Sequence, residues 1–116
     1  MRHRITAALA WALAAASLGA LAQAPSGDAA RGKGLFMKDM CYACHGTAGY
    51  GSQYGVRLAP DPMPWEAFAH QVRHPRSSMP PYAPQFTSDQ DLADIYAYVA
   101  SIRPGPKASE IPLLKD

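Results

Sequence analysis

Residues 41–45 read CYACH: two thiols three positions apart, with an imidazole directly after the second. On a turn of helix, thiols at this spacing reach neighbouring positions on one face. The pattern is the one at which a c-type haem is captured, its vinyl groups becoming thioethers and the histidine lying under the iron. Three other uses of the same residues fit less well. A thioredoxin-like redox pair shares the thiol spacing but needs a preceding strand and a larger α/β domain. A zinc site needs four ligands, and His70 and His74 stand at the wrong distance for a common finger. A disulfide between residues three apart closes too small a loop to stabilise much. Cys41 and Cys44 are the chain's only cysteines, and with His45 they predict a single covalently bound haem c.

Outward from this motif, the chain has room for one domain only. Its 116 residues carry 48% hydrophobic and 17% charged side chains, a balance that excludes a disordered or polyanion-like chain. Eleven prolines and nine glycines point to much loop. A core this small gains from a bound group placed at its centre.

The amino terminus reads as an export signal. MRHR at residues 1–4 precedes ITAALAWALAAASLGALA at 5–22, an Ala/Leu-rich stretch closed by the small-x-small site Ala20, Leu21, Ala22. Cleavage is expected after Ala22, with Ala24 as the second choice; an uncleaved membrane anchor is the competing reading, since the apolar stretch reaches the lower limit for spanning. Removing 22 of the 116 residues leaves 94, and takes Arg2 and Arg4 with it, so Lys plus Arg falls from 11 to nine against nine acidic residues. The processed chain is nearly neutral and has no basic run, which excludes the electrostatic footprint of a nucleic-acid binder. Export predicts a periplasmic protein without stable membrane insertion.

Flanking segments supply helices and loops. Residues 28–40 (DAARGKGLFMKDM) begin on a capping-type aspartate and predict a short helix leading into the motif. Residues 46–60 hold four glycines and predict an irregular loop. Residues 64–73 (PWEAFAHQVR) predict a helix with Trp65, Phe68, Ala69 and Val72 on one face and Pro75 as its stop. A last helix over 89–102 carries Leu92, Ile95, Tyr96, Val99 and Ile102 at helical spacing. Ser88 or Thr87 is its expected cap, with Gln90 completing a box after Thr87. Asp89, Asp91 and Asp94 are read as stabilising that helix rather than as metal ligands or acid/base groups. Residues 104–116 form a Pro-rich tail whose Ile111, Leu113 and Leu114 either fray or dock.

Met79 is followed by Pro80, Pro81 and Tyr82, and the prolines make a stiff extended segment able to hold a thioether over an iron. Met79 is therefore the expected sixth ligand. Met63 also precedes a proline but lies where the chain wraps the histidine side; Met37 and Met40 precede the attachment site; His70 and His74, four apart, would serve a bis-histidine haem.

Taken in order, Gly32 and Phe36, CYACHG, the Gly-rich run to Leu58, MPPY at 79–82 and DLADIYAYVASI at 91–102 resemble the class I c-type cytochromes, particularly the small bacterial ones. The resemblance spans residues 28–102. It implies an all-α class I cytochrome c fold of three to five short helices and long loops around one haem, within a domain at 23–103. It further implies that Gly32 lets the first and last helices cross closely with Phe36 packed in the crossing. A backbone carbonyl of a Pro-containing segment, Pro60 being the candidate, would accept from the free ring nitrogen of His45. Arg73 would approach a haem propionate, with Tyr50, Tyr54 and Arg57 as further possibilities.

A haem ligated by His45 and Met79 has no open position, so the expected function is single-electron transfer without catalysis. The chain would act as a soluble carrier or as the electron-transfer subunit of a periplasmic dehydrogenase. Its partners would be periplasmic redox proteins: a dehydrogenase donor and an oxidase or cytochrome acceptor. The rivals are a haem enzyme or sensor with an open sixth site, and a haem-free thiol-disulfide protein.

Overall fold

The computed structural model describes residues 24–114. The expected leader at 1–22 lies outside the described residues. Four α-helices follow one another: α1 (Ala29–Lys38), α2 (Cys41–His45), α3 (Trp65–Arg73) and α4 (Asp89–Ser101), then two short 3-10 turns at Ala108–Glu110 and Pro112–Leu114. Among the described residues there is no strand. The architecture is the all-α class I cytochrome c fold, and α1, α3 and α4 fall within a residue or two of the segments predicted for them.

Helix α1 starts where its cap dictates. The Asp28 carboxylate accepts from the backbone N–H of Ala30 (2.8 Å) and Arg31 (3.1 Å), satisfying two of the free donors at the helix start. The helix ends at Lys38, two residues short of the predicted limit, because Met40 adopts the left-handed conformation (φ 63°) that turns the chain into α2.

Helices α1 and α4 cross at Gly32. A Cβ there would lie 1.8 Å from the backbone oxygen of Asp94, so no residue with a side chain fits without parting the helices. Four residues on, Phe36 is fully buried and meets Tyr98 edge to face at 5.5 Å between ring centres. Leu35, Leu92, Ile95 and Val99 complete this core, which Phe68 of α3 joins from the other side. Trp65 and Phe68 pack around Tyr96, at 5.5 and 5.1 Å, and fix α3 against α4.

The crossing also has a polar latch. Asp94 is 2% exposed, and its carboxylate accepts from the Asp28 backbone N–H (2.8 Å), from Gln90 Nε2 (3.0 Å) and from the Arg31 guanidinium. Arg31 also pairs with Asp91. Ser88, not Thr87, caps α4: its hydroxyl accepts from Asp91 N–H, and the Asp91 carboxylate accepts in turn from Ser88 N–H (3.0 Å). Thr87 is buried instead and donates to Asp39 Oδ2 at 2.8 Å.

These contacts make stability depend on acid. The Asp28 N–H, then Gln90 and Arg31, hold the Asp94 carboxyl below the usual carboxylate range, and Ser88 followed by Arg31 does the same for Asp91. Carboxyls depressed in the folded state contribute stability above their unfolded value near about 4, and that contribution is lost as pH falls through their lower folded values. Urea midpoints are expected to drop steadily below about pH 4, and Asp94→Asn is expected to be less stable at pH 7 with a flatter acid limb. Parallel midpoint curves for the two proteins would contradict this.

Tyrosines anchor the loops. Tyr98 donates to the Thr47 carbonyl (3.0 Å), Tyr96 to that of Met63 (3.1 Å) and Tyr50 to that of Arg103. In the tail, Leu113 and Leu114 remain 93% and 60% exposed, so these leucines do not pack on the described domain.

Candidate haem-binding site

Helix α2 is a single turn, which places Cys41 and Cys44 on neighbouring positions with His45 at its end. Both thiols are free. Burial, aided by the nearby Asp39 carboxylate, pushes the Cys41 thiol up to about 11. The attacking cysteine of a redox pair needs the opposite shift.

Beside α2 an apolar cavity of about 260 Å³ enters the core between α1, α3 and α4, walled by Phe36, Leu58, Phe68, Val72, Leu92 and Ile95 among others. A second, of about 250 Å³, opens to solvent past Met40, Cys44, Tyr54 and Pro80. The two share Cys41, His45, Met79 and Tyr82 in their walls. Together they form a slot with apolar faces, a thiol pair along one edge and an imidazole and a thioether in its lining. That combination of donors and shape fits a haem.

His45 is buried (8% exposed) and its Nδ1 lies 2.7 Å from the Val56 carbonyl oxygen. With the Nδ1 proton donated to that carbonyl, Nε2 keeps its lone pair for a metal. The partner is thus Val56 and not Pro60. The correction has a local cause: Gly51 N–H bonds back to the His45 carbonyl (2.8 Å) and Ser52 N–H to the Gly55 carbonyl (2.9 Å), which folds the loop early and delivers Val56 first. Gly55 presses so closely on Cys44 that a Cβ would sit 2.7 Å from its carbonyl oxygen.

Met79 stands in the walls of both cavities. Its segment is clamped on two sides. Tyr82 N–H donates to the Val72 carbonyl (3.1 Å) and Tyr82 Oη–H to that of Asp39 (2.8 Å). Arg73 Nη1 donates to the Tyr82 and Thr87 carbonyls (2.7 and 2.8 Å), and Nη2 pairs with Asp89 (2.7 Å). Arg73 is therefore a brace for the methionine segment, and the expected approach to a propionate gives way to these bonds. Burial pushes the Tyr82 phenol up to about 12, so it stays a neutral donor.

Other sequence candidates divide. Met63 lines the inner cavity and Met40 the outer, each sharing only one of them with His45. Tyr54 edges the outer cavity, while Tyr50, Arg57, His70 and His74 stand in neither wall. Gln71 is a site residue that sequence reasoning missed: its Nε2 points at Met79 Sδ from 3.9 Å. The signal was present, since position 71 follows Phe68 by three and so shares the inward face of α3.

A glycine-hinged helix crossing over a slot edged by Cys-x-x-Cys-His defines a small c-type cytochrome. The family model for cytochrome c oxidase, cbb3-type, subunit III matches residues 27–99, and the chain belongs to this family. No curated protein and no solved structure matches. A cytochrome c domain implies haem c and electron transfer through it. Among the described residues no helix is long and apolar enough to cross a membrane.

Proposed function

We propose that the protein holds one haem c through thioethers to Cys41 and Cys44, with His45 Nε2 and Met79 Sδ as the axial ligands, and passes single electrons between periplasmic redox proteins. The observation that carries this reading is the 2.7 Å approach of His45 Nδ1 to the Val56 carbonyl oxygen, which engages that nitrogen and leaves Nε2 for a metal in a slot that Met79 also lines. When bound, the haem supplies a one-electron couple. The residues do the rest. Apolar side chains keep water from the inner cavity, and both they and the thioether disfavour the added positive charge of ferric iron, raising the potential. With His45 and Met79 both holding the iron, no position on it would be left for a substrate, and the protein would serve electron transfer rather than catalysis.

Gln71 tunes the same ligand. Its amide N–H lies toward the Met79 sulfur and lowers that atom's donor strength, again favouring the reduced state. Gln71→Leu is expected to lower the potential by about 20 mV, the one-electron equivalent of a weak hydrogen bond near 0.5 kcal/mol. A spectroelectrochemical titration showing an equal or higher potential would contradict this role.

Whether the chain diffuses or stays docked bears on its partners. The wall of the outer cavity, which Met40, Ala43, Tyr54 and Pro80 help to form, contains no Lys, Arg, Asp or Glu. Charge steering is therefore weak at this edge, which supports an electron-transfer subunit held against an oxidase or dehydrogenase over a diffusing carrier. Co-purification of a second polypeptide would distinguish the two. The central test is a redox-titrated visible and near-infrared spectrum of protein matured in a haem-competent periplasm. A pyridine haemochrome of the c type and a sulfur-to-iron band near the red edge are expected; a high-spin ferric spectrum with fast carbon monoxide binding would instead establish an open sixth site.

A further inference from the structure

We propose that His70 and His74 form a binding site for one borderline divalent transition ion, such as Zn2+, Cu2+ or Ni2+, at the carboxyl end of α3, where His74 is the residue just past the helix. The inner face of this helix is already committed, since Phe68, Gln71 and Val72 wall the haem slot. His70 and His74 are exposed and stand outside that slot. They are one helical turn apart, and the backbone bond from His74 N–H to the His70 carbonyl (2.7 Å) fixes their spacing without using either side chain.

The rings are set for a shared ion. Their centres are 5.2 Å apart and their planes inclined by 46°. An imidazole nitrogen about 2.0–2.1 Å from a tetrahedral ion puts each ring centre about 3.2 Å from the metal, and two such rings about 5.2 Å from one another. Neutral imidazoles select Zn2+, Cu2+ and Ni2+ over the hard cations, which require oxygen ligands. Among the described residues neither imidazole is engaged in a hydrogen bond to a side chain, so no hydrogen bond has to be broken. Arg73, the one cation between them in sequence, is turned to the Tyr82 and Thr87 carbonyls and Asp89. No third His, Cys, Asp or Glu completes a cluster among the described residues, so the remaining positions on the ion belong to water and the ion exchanges. The site does not depend on which methionine is the sixth ligand of the haem, since neither histidine lines the slot.

The test uses the haem-loaded protein, titrated with Zn2+ by calorimetry and with Cu2+ by electron paramagnetic resonance in a non-chelating buffer. One ion per chain is expected. His70→Asn or His74→Asn alone is expected to weaken binding about 100-fold, because the second imidazole binds intramolecularly. The Cu2+ signal should show two nitrogen ligands in the parent and one in each single variant. Zn2+ should raise the melting temperature of the parent and not of the double variant. Both substitutions are on the surface, and an unchanged visible spectrum confirms that the fold is kept. Failure of the parent to take up Zn2+ or Cu2+ at equimolar concentration would overturn the proposal, as would equal affinity in the double variant.

Discussion

Gly32→Ala is expected to lose most of the folded state. The added Cβ would stand 1.8 Å from the Asp94 carbonyl oxygen and 2.3 Å from its carbonyl carbon, and both obstacles are backbone, so no side-chain rotation relieves them. The helices must separate, which uncovers Phe36 and Val99, each fully buried, and pulls Arg31 and Asp28 from Asp94. Loss of packing on that scale costs about 3–5 kcal/mol, a large share of the stability of a domain this size. Gly34 provides the contrast, because nothing lies within 4 Å of the place a Cβ would take there. Gly34→Ala is expected to be neutral or to stabilise by up to about 1 kcal/mol through helix propensity. Urea unfolding followed by far-ultraviolet circular dichroism separates the two, and similar midpoints would refute the close crossing.

Met79→Ala is expected to produce the largest change in redox behaviour. Met79 is the methionine that shares both cavities with His45, whereas Met63 and Met40 each share one. Its removal should abolish the sulfur-to-iron band, admit carbon monoxide or cyanide quickly, and lower the potential by about 0.1–0.3 V, within the roughly 0.8 V range that axial ligands span. Met63→Leu should leave the band in place and move the potential far less. The reverse result, with the band lost in the Met63 variant and kept in the Met79 variant, would transfer the ligand role to Met63.

What could be read from the sequence was local. The thiol-thiol-imidazole run, Asp28 before its helix, Pro64 before the next and the apolar repeat from Leu92 to Ile102 each express a spacing that the chain itself sets. Gly32 and Phe36 were legible through resemblance, and the crossing at Asp94 gives that pair its physical reason. Contacts set by loop paths were not legible. Val56 reaches His45 because two tight turns shorten the intervening loop, and nothing in the residue type of a valine announces that its carbonyl is the one used. Arg73 carries a charge suited to a propionate, yet its guanidinium is engaged by two carbonyls and Asp89. Asp94 reads in sequence as one more acid favouring the helix dipole, and its partners Asp28 and Arg31 stand more than sixty positions away.

The closure of the chain between Val72 and Tyr82 has a dynamic consequence. A backbone bond joins its two ends, Arg73 grips it from below, and Tyr82 ties it across to Asp39. With a haem in the slot, a ring fastened at three points is expected to shift little when the iron changes its charge by one unit. Surroundings that are already arranged for both oxidation states contribute little reorganisation energy, and a low reorganisation energy is what permits fast tunnelling to a neighbour at small driving force.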